Sequence, residues 1–248
     1  MEKIYGKSEI IRDSGTGFCP GCLHGVASKL IAETLDELNL KEETICVLPV
    51  GCGTLNMGSY NLDRIVSAHG RAPAVATGIK RTSPEKIVFT YQGDGDLASI
   101  GIAEIIHAAN RGENITVVFV NNCIYGMTGG QLAPTTLLDQ KSSTSPFGRD
   151  VFTMGYPIKM SEIINQLESP VFIARHSLDS PKNILDAKKA LLKAFAYQVE
   201  KRGFTFVELL TNCPTNWKMT AVQSLDWMRK NSIPIFKLGV VRDCDGGL

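Results

Sequence analysis

At 248 residues, 44% hydrophobic and 21% charged, the chain has the size of one large α/β domain, or at most two small ones, and an ordinary globular composition. Its formal net charge of +1 gives no electrostatic case for nucleic acid or for an anionic membrane surface as a partner. No apolar run approaches the length of a bilayer span, and "MEKIYGKSEIIRDSGTGF" lacks the apolar core of a signal peptide, so a cytoplasmic protein is expected.

In chain order, "CLHGVASKLIAETLDEL" places Leu23, Val26, Ala27, Leu30, Ile31, Leu35 and Leu38 on one face, which is helical spacing. "TICVLPV" reads as a buried strand ending at Gly51, and "APAVATGIK" as a helix ending near Ser83-Pro84. "KIVFTYQ" is a second strand. "LASIGIAEIIHAANRG" carries Ile102, Ile105, Ile106 and Ala109 on one helical face and stops at Gly112. "ITVVFV" is a third strand, apolar throughout, as parallel strands covered on both faces are. Residues 125–150 are rich in Gly, Ser, Thr and Pro with little periodicity, and are expected to form an active-site loop. Beyond them, "SEIINQLE" reads as a short helix and "PVFIAR" as a strand. "NILDAKKALLKAFAYQVEK" is a helix built on Ile184, Leu191, Phe195 and Val199, and "FTFVELL" is the last strand. The final thirty-odd residues hold Trp217 and Trp227 without a clear pattern.

Alternating strands and helices imply a single α/β domain over 1–248, a mostly parallel sheet with helices on both faces. Four apolar runs each end on chemically loaded residues: Gly51-Cys52-Gly53, Gly93-Asp94-Gly95-Asp96, Asn121-Asn122 and Thr211-Asn212-Cys213. Parallel strands bring their carboxyl ends to one edge, where ligands of open α/β folds bind. Asp94 is a hard oxygen ligand between glycines that allow backbone N–H groups to approach an anion, and the following helix aims its N-terminus at the same place. Asn122 adds a neutral oxygen and a carbonyl after it another, leaving an octahedral Mg²⁺ room for two diphosphate oxygens and a water. No dinucleotide fingerprint is present.

The seven cysteines are an odd count that argues against a disulfide framework. Cys19-Pro20-Gly21-Cys22 fits half a zinc site, a redox dithiol or a pair of cluster ligands. Strand-end placement nominates Cys52 and Cys213 as its companions. Cys46 lies inside a strand as a buried small hydrophobe, and no motif surrounds Cys123 or Cys244.

Gly93-Asp94-Gly95 with Asn121-Asn122 is similar to the thiamine diphosphate-binding motif. Together with "NNCIYGMTGGQLAPTT", "SAHGRAPAVATGIK" and "CPGCLHG", in matching blocks from Cys19 to Cys213, the chain resembles the β subunit of the 2-oxoacid:ferredoxin oxidoreductases. The resemblance implies that Asp94, the Asn122 side chain and the Ile124 carbonyl hold Mg²⁺. It implies cofactor contacts from Val50, Gly51, Cys52, Gly53, Gly93, Gly95, Asp96, Gly126 and Met127, and a [4Fe–4S] cluster on Cys19, Cys22, Cys52 and Cys213. His69, in a block the family shares, is the candidate for a further cofactor contact or a catalytic role, with His24 behind it; His107 and His176 read as structural or exposed. The glutamate that activates thiamine comes, in the family, from a separate pyrimidine-binding domain, so an α subunit is expected to complete the site. Ferredoxin-like subunits, ferredoxin, coenzyme A and a small 2-oxo acid are the other implied partners, with no nucleic acid and no membrane. Gly53-Thr54-Leu55-Asn56-Met57 lacks the basic residue that many relatives carry there, which favours pyruvate or a branched-chain 2-oxo acid over 2-oxoglutarate. Two alternatives stay open: half of a non-oxidative thiamine-dependent decarboxylase, and a non-catalytic cluster- or zinc-binding electron-transfer subunit.

Overall fold

The computed structural model describes residues 6–246; the outermost positions of the expected 1–248 domain, including 1–5 of the stretch read for a leader, lie outside them. Along the chain run α1 (His24–Glu37), β1 (Thr44–Leu48), α2 (Asn56–Ser59), β2 (Asp63–Val66), α3 (Ala72–Thr82), β3 (Ile87–Gly93), α4 (Ile102–Asn110), β4 (Thr116–Asn121) and the short α5 (Val151–Met154) and α6 (Met160–Ile164). Then come β5 (Phe172–Ser177), α7 (Pro181–Val199), β6 (Thr205–Leu210), α8 (Pro214–Trp217), α9 (Ala221–Trp227) and β7 (Gly239–Asp243). The strands form one sheet in the order β2-β1-β3-β4-β6-β5-β7, parallel except that β7 runs antiparallel to β5.

The period-two alternation of the strands separates two cores. Phe89, Tyr91, Val118, Val120, Val207 and Leu209 pack with residues of α1 and α7 on one face. Val88, Val117, Phe119 and Phe206 pack with residues of α3 and α4 on the other. Both faces are therefore dry, which is why the central strands are almost wholly apolar. Among the described residues no helix is long and apolar enough to cross a membrane.

Four departures from the sequence reading have physical causes. The edge strands β2 and β7 went unpredicted because each is short, carries charge and leaves apolar side chains in solvent: Ile65 is 45% and Val240 55% exposed. The helix expected from Leu97 to Gly112 is interrupted, with a π-helical turn over Asp96–Ile100 and then Gly101 before α4. The break lets two backbones touch. A Cβ on Gly101 would stand 2.4 Å from the Gly70 carbonyl oxygen, and one on Gly70, at φ +78°, 2.6 Å from the Gly101 nitrogen. "SEIINQLE" is helical only through Ile164. Val199 is not part of the inward face of α7 but 46% exposed at its end; Gln198 is buried instead, its amide bridging the Val88 N–H and C=O at 2.8 Å each.

Candidate active site

β1, β3, β4 and β6 are four consecutive parallel strands, so the four loaded strand ends open onto one edge. Every residue expected at the cofactor and at Mg²⁺ lines one cleft there, together with His24, Pro49, Tyr125 and Thr128.

Asp94 is 3% exposed. Its Oδ1 accepts from the Gly95 N–H at 2.9 Å; its Oδ2 accepts from the Ile124 N–H at 3.1 Å and from Thr135 Oγ1 at 2.7 Å. Burial pushes its carboxyl up to about 6, against these hydrogen bonds, which pull the other way. The same Ile124 N–H reaches Asn122 Oδ1 at 3.2 Å, so one donor straddles the two expected ligand side chains. The chain turns back at Cys123, held at φ +59° while its carbonyl accepts from Thr136 Oγ1 (2.8 Å) and Gln140 Nε2 (3.2 Å). Asn121 faces the framework: its amide donates to the buried Glu208 at 2.8 Å and its oxygen accepts from the Cys123 N–H. Gly95 has no room for a side chain, since a Cβ would lie 2.2 Å from the ring of Tyr125, whose hydroxyl donates to the Gly95 carbonyl at 3.2 Å. Tyr125 and Thr135 were missed; neither stands in a spacing that marks it.

Asp96 uses both oxygens within the protein. Oδ1 accepts from His69 Nδ1 (2.6 Å) and the Gly70 (2.9 Å) and Val50 (3.3 Å) N–H groups; Oδ2 accepts from Gln92 Nε2 at 2.6 Å. Its side chain thus ties the β1 end and the His69 loop to β3. The contact through Nδ1 orients the His69 ring, which lines the cleft, with Nε2 on its side away from Asp96. His24 is 2% exposed, 2.6 Å from the Tyr91 hydroxyl and stacked on Phe18 at 5.1 Å. Burial pushes it down to about 4, so it is neutral at physiological pH. His107 is exposed, and His176 lies within β5.

The C-x-x-C turn is stapled to the β6 end by Asn212, whose Oδ1 accepts from the Leu23 N–H (3.0 Å) and whose amide donates to the Gly21 carbonyl (3.1 Å). This supplies the cap that α1 lacks locally and sets the turn beside Cys213. Burial first, and then the charges of Cys213, Cys22, Cys19 and Asp94, push Cys52 up to about 12. Cys22 is pushed up to about 11 by burial, with Cys213 and Cys19 adding to it. Burial raises Cys213 as well, opposed by hydrogen bonds from Asn216. Burial and one another's proximity thus disfavour the thiolates of Cys22, Cys52 and Cys213. Gly126 leaves a gap there: a Cβ on it would lie 3.0 Å from Cys52 Sγ and 3.8 Å from Cys213 Sγ. Among the described residues no three His, Cys, Asp or Glu side chains are closed around a point as a ready-made single-ion site. Cys46 and Cys123 are buried, and Cys244 is exposed in the tail.

Residues 50–209 match the family described as thiamine pyrophosphate enzyme, C-terminal TPP binding domain. The chain is 50% identical over 221 residues to the ketoisovalerate oxidoreductase subunit VorA of Methanothermobacter marburgensis, covering 89% of this chain and 46% of that one. It is 35% identical over 226 residues to the 2-oxoglutarate synthase subunit KorB of Methanocaldococcus jannaschii, covering 89% and 79%. The solved 2-oxoglutarate:ferredoxin oxidoreductase from Magnetococcus marinus, with 2-oxoglutarate, coenzyme A and succinyl-CoA bound, aligns with a TM-score of 0.79 at 25% identity over 92% of this chain and 74% of that one. Fold and cleft together define the diphosphate-binding domain of a thiamine enzyme. Within that class the chain belongs to the family of 2-oxoacid:ferredoxin oxidoreductase subunits. It spans about half the length of the VorA relatives, 46% and 48%.

Proposed function

We propose that this chain is the thiamine diphosphate-binding β subunit of a cytoplasmic, CoA-dependent 2-oxo acid:ferredoxin oxidoreductase. The reaction converts a 2-oxo acid and coenzyme A to acyl-CoA and CO₂, with two electrons passed to ferredoxin. The observation that carries this reading is the meeting of Asp94, Asn122 and Ile124 with Cys52 and Gly126 in one cleft, and of Cys52 with Cys213 at its wall. The residues fit the groups. A buried carboxylate with no cation beside it and a neighbouring amide oxygen suit a hard cation, which Mg²⁺ supplies with diphosphate. Cys19, Cys22, Cys52 and Cys213 would hold a [4Fe–4S] cluster. Thiamine diphosphate supplies carbanion chemistry at a 2-oxo carbon, and the cluster takes electrons singly.

The chain's own contribution is anchoring and orientation. Asp94, Asn122 and the Ile124 carbonyl hold Mg²⁺, and the Gly93–Gly95 turn brings backbone close to the phosphates. Val50, Gly51, Gly53 and Met127 wall the cofactor. His69, oriented by Asp96, places Nε2 where it can accept or return a proton. Loop 125–150 carries Thr135 to Asp94 and so acts as the active-site loop. An α subunit would supply the pyrimidine-binding half, and ferredoxin-like subunits the electron exit. Supporting this, the relatives are themselves named as subunits, and the solved relative holds coenzyme A.

An opening beside the cleft is lined by Val50, Leu55, Met57 and Met127, with no lysine or arginine among its described lining residues. This favours an apolar, branched-chain 2-oxo acid, in keeping with the ketoisovalerate named for VorA; the KorB relatives make 2-oxoglutarate the second reading. The test is anaerobic purification of the native complex, followed by metal and thiamine analysis and CoA-dependent dye reduction across a panel of 2-oxo acids. At least about four irons per copy of this chain, bound thiamine diphosphate and turnover are expected. Zinc without iron would leave the decarboxylase reading, and absent thiamine diphosphate the electron-transfer one.

A further inference from the structure

Asn216 is the third residue after Cys213, in the short α8 that Cys213 caps. Its Nδ2 makes two hydrogen bonds, to the Gly126 carbonyl at 2.8 Å and to Cys213 Sγ at 3.3 Å. Flipping the amide would set its oxygen against the Gly126 oxygen, so the orientation is fixed by chemistry. The loop is shaped to hold it. Gly130, at φ +83°, leaves its Cβ position 3.1 Å from Asn216 Cβ, and the Gly130 N–H closes the loop on the Tyr125 carbonyl at 2.9 Å. Gly126 in turn borders Cys52 Sγ, Cys213 Sγ and the Asn122 amide. One side chain thus donates both to a sulfur and to the loop that walls the diphosphate cleft.

We infer that Asn216 is a positioning residue that sets the reduction potential of the cluster held by Cys213 and fixes that sulfur against the Gly126 wall. The inference rests on Cys213 being a cluster ligand, as proposed above. A reduced cluster carries one more negative charge than an oxidised one, and an N–H donor to a ligand sulfur stabilises that charge. Removing the donor disfavours reduction and moves the midpoint potential to more negative values. Replacing it with a carboxylate does so further.

The experiment is a spectroscopic redox titration of the anaerobically purified complex, with iron determined in parallel, for wild type, Asn216→Leu, Asn216→Asp and the neighbouring Thr215→Ala. The expected order of midpoint potentials is wild type and Thr215→Ala together, then Asn216→Leu, then Asn216→Asp as the most negative. Full iron content with an unchanged potential in both Asn216 variants would overturn the inference. Loss of iron from both variants, while Thr215→Ala keeps its iron, would also overturn it by assigning Asn216 to cluster retention. A wild-type complex without iron would remove the cluster itself, an outcome distinct from a cluster indifferent to Asn216.

Discussion

Glu208→Ala tests whether the edge that carries the cleft is held from beneath by a buried charge. Glu208, at the middle of β6, is fully buried. It accepts from Asn121 Nδ2 (2.8 Å), from Ser161 Oγ on α6 (2.6 Å) and from Arg175 Nε on β5 (2.8 Å). Alanine leaves two neutral donors without an acceptor, at about 1–3 kcal/mol each. It also leaves the buried Arg175 guanidinium with the half-exposed Glu162 as its remaining carboxylate partner, at 2.9 and 2.5 Å. Breaking a buried pair costs about 3–5 kcal/mol, and Glu162 cuts that share roughly in half, so with the two orphaned donors the expected loss is about 4–8 kcal/mol. Urea unfolding at neutral pH, followed by circular dichroism, measures it. The double variant Glu208→Leu/Arg175→Met removes both charges and should recover about 2 kcal/mol or more of the loss. A loss below about 1 kcal/mol in Glu208→Ala, or a double variant no better than the sum of the single ones, would refute the reasoning.

Asp94→Asn keeps the shape and removes the charge, so Mg²⁺-dependent binding of thiamine diphosphate, read by calorimetry, should weaken by about 100-fold or more, while its amide nitrogen, facing the N–H of Gly95 or of Ile124, lowers the melting temperature of the metal-free chain without unfolding it. Gly126→Ala directs a methyl group to within 3.0 Å of Cys52 Sγ, and iron should drop by up to about four per copy of this chain; full retention would contradict the placement of the cluster at that wall. Glu113 gives the pH dependence. Burial raises its carboxyl, but the hydrogen bonds and charges of Arg81 and Arg111 outweigh this and leave it below the usual range. Its contribution is therefore present above the unfolded value of 4.5 and is lost as pH falls below that. Glu113→Gln should cost about 1 kcal/mol at pH 7 and flatten the acid limb of the stability profile, measured by urea unfolding from pH 3 to 7.

The sequence was most readable where burial is two-sided. β1, β3 and β4 are mostly apolar runs of strand length, and β5 and β6 keep enough apolar residues around Arg175 and Glu208 to be placed without knowing the sheet order. The edge strands escaped because "DRIV" and "GVVRD" are half solvated and neither carries an unbroken apolar run. The interruption at Gly101 depends on a contact with Gly70, thirty-one positions earlier in a separate loop. At the site, the residues expected at the cofactor and at Mg²⁺ line one cleft because strand ends carry most of them to the same edge. Thr135, Tyr125, Gln140 and Asn216 could not be read from the sequence, since each acts through a hydrogen bond whose partner is set only by loop closure. The same holds for the division of labour at "GDGD": sequence put Asp96 beside Asp94 at the cofactor, and the fold turns its carboxylate inward to His69, Gly70, Val50 and Gln92.

The long segment after β4 shows how irregular backbone can still hold side chains at fixed places in the cleft. Without a ladder or helix its carbonyls need other donors, because an unpaired buried carbonyl costs as much as a lost hydrogen bond. Arg149, 5% exposed, supplies them. Its guanidinium donates to the carbonyls of Ala133 (3.3 Å), Pro134 (2.8 Å) and Thr136 (2.7 Å) on one stretch, and of Met154 (2.9 Å), Gly155 (2.8 Å) and Tyr156 (2.9 Å) on another. A planar fork with five N–H groups can join two backbone segments at once, which the point charge of a lysine cannot. The stretch it grips includes Thr135, whose hydroxyl bonds Asp94, and Thr136, whose hydroxyl bonds the Cys123 carbonyl. The rigidity of the expected metal site is thus borrowed from a cation far along the chain, and the loop's lack of periodicity is compatible with a fixed geometry at Asp94.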